Sequence, residues 1–203
     1  MILNRQRAVR VSIAALDRFL LRARRKLRLP SDSLAICLVT NAQIARWNAA
    51  FRGKKGATDV LSFATQGSGG GEGGKGTRGK NVLRPATGRS FKLPESDAGL
   101  LKTRGADGFS FASSTSFTSS ASYLGDIAIA PAVARRNARR FGRTLNDELR
   151  ILILHGILHL MGYDHETDNG EMERREQRLR RALGLASGRR GKGSGGKNFL
   201  SAV

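Results

Sequence analysis

Cysteine, tryptophan and histidine are scarce in this 203-residue chain, at one, one and three residues. The lone Cys37 excludes an internal disulfide and points to a reducing, cytoplasmic compartment. It sits in LAICLV, which reads as a buried strand, so its expected role is packing. No apolar run approaches the length of a membrane-spanning helix. Acidic residues are also few, 16 against 36 Lys and Arg, giving a formal charge of +20. The excess is concentrated in residues 1–65, and such a field favours polyanions, RNA being the obvious soluble partner. A solvated basic face or an anionic membrane surface is the competing reading. The arginine-rich N-terminus has its apolar residues broken by Arg10, Asp17 and Arg18. That pattern reads as an amphipathic helix rather than a signal peptide, with a mitochondrial presequence as the weaker alternative.

What is abundant is glycine, and it is unevenly placed. Residues 66–122 hold nearly half of the 25 glycines, in GSGGGEGGKG and around a Ser/Phe-rich stretch. Neither that segment nor 186–203 shows sustained periodicity or enough apolar surface to offset the cost of ordering. The first reads as a disordered insertion and the second as a basic tail. Phe109, Phe111, Phe117 and Tyr123 could stack on unpaired bases, although a flexible linker with incidental aromatics is the preferred reading. A single domain is therefore expected over 1–185, interrupted by 66–122.

Periodicity outside those segments predicts strands at Met1–Arg7, Ser33–Val39, Thr58–Ala64 and Leu124–Ala130. Helices are predicted at Ala8–Leu29, through Gln43–Phe51, from Pro131 to Phe141, at Thr144–Leu160 and at Asn169–Leu183. Asp168 and Glu171 suggest a capping box for the last helix. The order implies an α+β fold, a small mixed sheet packed against helices, with the site on a helix of the C-terminal half and the turn after it.

All three histidines lie in LHGILHLMGYDHETD, as His155, His159 and His165. The first two are one helical turn apart and share a face. Gly162 permits a turn that returns His165 toward them. Three imidazoles with a fourth position open describe a catalytic zinc site better than a closed structural one. Iron, nickel or copper could use the same ligands, and a pair of core histidines with an unrelated third is the bland alternative. The spacing also matches the HExxHxxGxxH zinc-protease pattern, but Gly156 stands where the general-base glutamate belongs.

Taken together, HGILHLMGYDH, NAAFRGKKGATDVLSF and LGDIAIA resemble the bacterial YbeY family of zinc-dependent endoribonucleases, over residues 30–65 and 123–185. The resemblance implies one Zn2+ held by His155, His159 and His165, and a catalytic Arg52 beside it. A guanidinium there can hold a phosphate bidentately and stabilise charge on phosphorus. Lys54 and Lys55 would add general attraction for RNA. Asp59, with Ser62 and Phe63, would lie on a cleft strand, or Asp59 would cap the preceding loop. Glu148 lies two helical turns before His155, roughly 10 Å away by helical rise, which suits a supporting group better than a base. Asp164 would orient an imidazole or stabilise the turn, and Asp126 is expected to be structural. Where the family usually has proline this chain has Ala64, an expected loosening of the strand's exit.

The implied activity is metal-assisted hydrolysis of phosphodiester bonds in single-stranded RNA. It would serve maturation of the 3′ end of small-subunit (16S) ribosomal RNA and ribosome quality control. The implied partner is the small ribosomal subunit, with no membrane association and a monomer favoured. A zinc-peptidase-like hydrolase and a non-catalytic ribosome-associated RNA-binding factor are the competing classes.

Overall fold

The computed structural model describes residues 1–65, 123–165 and 168–185. The expectations for the 66–122 insertion and the 186–203 tail lie outside the described residues. Four strands form one sheet: β1 (Ile2–Asn4), β2 (Leu34–Leu38), β3 (Val60–Ala64) and β4 (Gly125–Ile129). Their order is β1-β2-β4-β3, with β1, β2 and β4 parallel and β3 antiparallel to β4. Five helices accompany them among the described residues: α1 (Ile13–Leu27), α2 (Asn41–Arg52), α3 (Pro131–Arg140), α4 (Leu145–Leu160) and α5 (Glu171–Ala182). The α+β expectation holds.

Helix α4 organises the molecule. Thr144 caps it by accepting from the Asp147 amide, and Asp147 and Glu148 place negative charge in its first turn, where the helix dipole favours it. Every residue from Ile151 to Leu160 is buried, so it is a central helix rather than a surface one. It packs against α1, α3, α5 and the β3–β4 edge of the sheet. On α1 the buried residues Leu16, Phe19, Leu20, Ala23 and Leu27 follow the helical repeat that turns one apolar stripe to the core.

Gly156 explains how closely α4 can approach the sheet. A Cβ at this position would lie 2.9 Å from Cγ2 of the fully buried Ile127 on β4. The neighbouring Ser62 hydroxyl on β3 donates to the Gly156 carbonyl at 3.4 Å. Helix and sheet therefore meet backbone to side chain at the turn that carries the histidines.

Several boundaries differ from the sequence expectation for local reasons. β1 stops at Asn4 because Gln6 folds onto Val9, donating to its carbonyl and accepting its amide, both at 2.9 Å. The first helix starts at Ile13 rather than Ala8, after Ser12 in an extended conformation. β3 begins at Val60, whose amide donates to the Asp59 carboxylate at 2.9 Å, while the Asp59 carbonyl still accepts from the Ala130 amide. The last helix begins at Glu171, not Asn169, and its boundary residue Gly170 has φ 80°. Asp168 accepts from the Gly170 and Met172 amides at 2.8 and 2.7 Å, so it caps the helix from further upstream than the expected box. Ala64 does not loosen the exit of β3. The Thr65 amide donates to the Leu124 carbonyl at 3.0 Å and its hydroxyl to the Tyr123 carbonyl at 2.6 Å.

Candidate metal centre

The histidine turn is built by the end of α4. The Gly162 amide donates to the His159 carbonyl and the Tyr163 amide to the Leu158 carbonyl, at 3.0 and 3.1 Å. With Gly162 at φ 91°, this is the paired closure of a helix end that needs a glycine in the left-handed region. The chain reverses there and delivers His165 to the face that already carries His155 and His159. Arg175 of α5 lies over the Tyr163 ring, 5.3 Å from its centroid, and secures the same turn.

The three rings converge. Their centroids are 4.6, 5.4 and 5.2 Å apart for the pairs 155–159, 155–165 and 159–165. One potential ligand atom from each lies within 4.8 Å of the others. Nε2 of His155 and Nε2 of His159 are 3.0 Å apart, a distance at which two lone pairs need a proton or a cation between them. Nitrogen ligands about 2.0–2.1 Å from a tetrahedral zinc lie roughly 3.3 Å from one another, so the His155–His159 pair is spaced close to what such an ion requires. Burial, followed by the neighbouring His155 and His165, lowers the His159 pKa to about 3. His159 is therefore neutral near pH 7, the form that can ligate.

The sequence-selected carboxylates are placed differently from one another. Glu148 is buried and accepts from Arg143 Nη1 at 2.9 Å. Burial raises its pKa, and Arg143 offsets part of that. Asp59 spans the edge of the site's strand and the next layer: one oxygen accepts from Val60 N, the other from Asn137 Nδ2 of α3 at 2.9 Å. Asp126 accepts from the Tyr123 hydroxyl at 2.6 Å, and burial raises its pKa. Asp164 is buried beside His165, and its carbonyl accepts from the Asp168 amide at 2.9 Å.

Arg52 is the last residue of α2, followed by Gly53 at φ 66° and the exposed Lys54 and Lys55. Phe51 meets Phe63 edge-on at 5.5 Å, and Trp47 meets the same ring at 6.1 Å. Since Ser62, next to Phe63, bonds to Gly156, this packing joins the end of α2 to the histidine helix through β3.

Two residues that sequence reasoning passed over complete the centre. Glu176 on α5 places Oε2 3.3 Å from His155 Nδ1, while its Oε1 accepts from Arg180 Nη2 at 2.6 Å. Burial works to raise the Glu176 pKa, but His155 and Arg180 together hold it below the usual value. A signal was present in the sequence. Met172, Glu176, Leu179 and Leu183 share one helical stripe, all buried, and a carboxylate in an apolar stripe needs a buried partner.

Gly156 also bears on the protease pattern. The direction a side chain would take from this position leads into Ile127 of the sheet, so a glutamate there could not enter without displacing the core.

The family model for Endoribonuclease YbeY matches residues 2–184. Endoribonuclease YbeY of Nautilia profundicola is 52% identical over 64 residues, covering 32% of this chain and 46% of that protein. The protein of the same name from Solibacter usitatus is 52% identical over 73 residues, 36% of this chain and 50% of that one. That of Koribacter versatilis is 57% identical over 63 residues, 31% and 41% respectively. The chain spans about half the length of the curated relatives it matches. A solution structure from Thermotoga maritima covers 90% of the chain at 21% identity, with a TM-score of 0.47.

Proposed function

From the premise that the chain belongs to the Endoribonuclease YbeY family, we propose that it is a zinc-dependent endoribonuclease acting on single-stranded RNA. The observation that carries this reading is the convergence of His155, His159 and His165 on one point. Those three side chains are the proposed ligands. A zinc ion held there supplies Lewis acidity for a phosphoryl oxygen and acidifies bound water.

The other tasks fall to the chain's own groups. Arg52 binds the scissile phosphate through its planar fork and stabilises charge that develops on it. Lys54 and Lys55 raise the local concentration of the RNA backbone. Glu148, Asp59 and Asp126 are each already engaged, with Arg143, Asn137 and Tyr123, so they serve as supports for the site's walls rather than as proton acceptors. Gly156 disfavours the peptidase alternative, because the position of that base faces the sheet.

The biological setting that follows is cytoplasmic: maturation of small-subunit ribosomal RNA and ribosome quality control, in contact with the small subunit, by a monomer. No helix among the described residues is long and apolar enough to cross a membrane.

The test is direct. Purified protein is incubated with single-stranded RNA and, separately, with an unstructured polypeptide. The reading expects RNA cleavage alone, abolished by chelation and reduced about 100-fold or more in Arg52→Ala, on the scale of losing one charge-stabilising donor. Polypeptide cleavage, or RNA cleavage unaffected by chelation, contradicts it. Retained RNA affinity without cleavage by the zinc-loaded protein favours the binding-factor class instead.

A further inference from the structure

Helix α5 contributes no ligand to the metal centre, yet it touches it at two consecutive residues. Arg175 covers Tyr163 in the turn between His159 and His165, and Glu176 meets His155. Glu176 is 4% exposed and His155 6%. The two carboxylate oxygens are divided: Oε2 faces the imidazole, and Oε1 takes the Arg180 guanidinium. A helix-stabilising Glu–Arg pair would need only the second contact and no burial. An apolar side chain at position 176 would pack the Met172–Leu179–Leu183 stripe at least as well as a buried ion pair. The first contact is thus left without a purely structural reason.

Its chemical consequence is specific. A carboxylate at Nδ1 favours the tautomer that carries its proton there, which frees Nε2 as a lone-pair donor. Nε2 of His155 is the atom that points to His159 Nε2 at 3.0 Å. We propose that Glu176, held by Arg180, is the positioning residue of the metal centre: it sets the His155 tautomer and ring orientation so that Nε2 is presented to the ion. The inference rests on the metal-centre reading and deepens it. Arg180 acts one step further out, orienting the carboxylate and supplying the positive charge that lets it stay ionised beside the ring.

Two readouts on the full-length chain test it. In the metal-free protein, 15N spectra of the histidine rings are expected to show His155 as the Nδ1–H form in wild type, and a shift toward Nε2–H in Glu176→Ala. Competition against a chromophoric zinc chelator is expected to show about 10–100-fold weaker binding in Glu176→Ala, the usual effect of deleting such a partner. Glu176→Gln keeps an oxygen that can accept from Nδ1–H, so it should retain the wild-type tautomer and lose only part of the affinity. If Glu176→Ala does not fold, the isosteric Glu176→Gln carries the test, with a several-fold loss expected. Zinc affinity within about twofold of wild type in either folded variant overturns the proposal, since it lies well below that effect. So does an unchanged His155 tautomer in folded Glu176→Ala. A wild-type chain that binds no zinc removes the metal-centre reading and this inference together, an outcome distinct from wild-type binding that Glu176 fails to influence.

Discussion

Glu148 and Glu176 are both buried, both on helices of the C-terminal half and both paired with an arginine. Their surroundings give them opposite characters. At Glu148 desolvation wins over Arg143, and its pKa is raised. At Glu176 desolvation is outweighed by His155 and Arg180, and its pKa is lowered. Glu148 also has Asp59 nearby, which raises its pKa further, whereas Glu176 has His155 and a direct bond from Arg180. Glu148, near the start of α4, closes an ion pair that holds the α3–α4 connection, whereas Glu176 faces His155 from α5. Two carboxylates that look alike in sequence therefore divide into one that pairs with Arg143 and one that meets a histidine of the cluster.

The largest effect that would break this division is at Glu148. Glu148→Ala leaves the Arg143 guanidinium without its counter-ion, and its side chain is only 18% exposed. A loss of about 3 kcal/mol is expected, the lower end for breaking a buried pair, read as a shift in denaturant midpoint at unchanged slope. Zinc affinity of the folded fraction should stay at the wild-type value. A marked loss of affinity would erase the distinction from Glu176. Replacing both Glu148 and Arg143 by leucine should recover most of the stability, because the pair itself adds little beyond satisfying each partner.

Next in size is Gly156. Gly156→Ala forces a methyl against Ile127, and overpacking of this kind costs about 1–3 kcal/mol. The companion change Ile127→Val removes one of the crowding carbons and should restore part of the loss. Equal stability of Gly156→Ala and wild type would show that α4 does not sit as close to the sheet as described.

The smallest effect is in pH dependence. A carboxylate whose folded-state pKa is raised binds its proton more tightly in the native state than in the unfolded chain. Its contribution to stability therefore falls as pH rises from the unfolded value, near 4.5, through the raised folded value. Wild type should lose stability over that window relative to Glu148→Gln, and the difference should level off above it. Denaturant midpoints of the two proteins across that range provide the check; parallel curves would mean Glu148 is not desolvated.

The parts of the molecule legible in its sequence are those written in local pattern. The strands, the burial of α4 and the clustering of the three histidines all follow from the spacing of apolar residues and one glycine. Element starts were less legible, because side chains such as Gln6 and Asp59 take backbone partners next to the strand ends. The identity of the carboxylate beside the histidines was not legible either. Glu148 shares a helix and a face with His155, which drew attention to it, while Glu176 comes from another helix, 21 residues away in sequence. Only tertiary packing sets which of them reaches an imidazole. Gly156 was legible as a missing base, but its contact with Ile127 was not.

On the proposed function, His155, His159 and His165 form one zinc-binding centre on which RNA cleavage depends. Zinc titration of the metal-free chain and of His159→Ala, followed by cleavage of single-stranded RNA by each loaded sample, tests it most directly. The expected result is one zinc per wild-type chain with cleavage restored on loading, and a folded His159→Ala that neither holds the ion tightly nor cleaves. Cleavage by the metal-free wild type, or zinc binding and cleavage undiminished in His159→Ala, would contradict it.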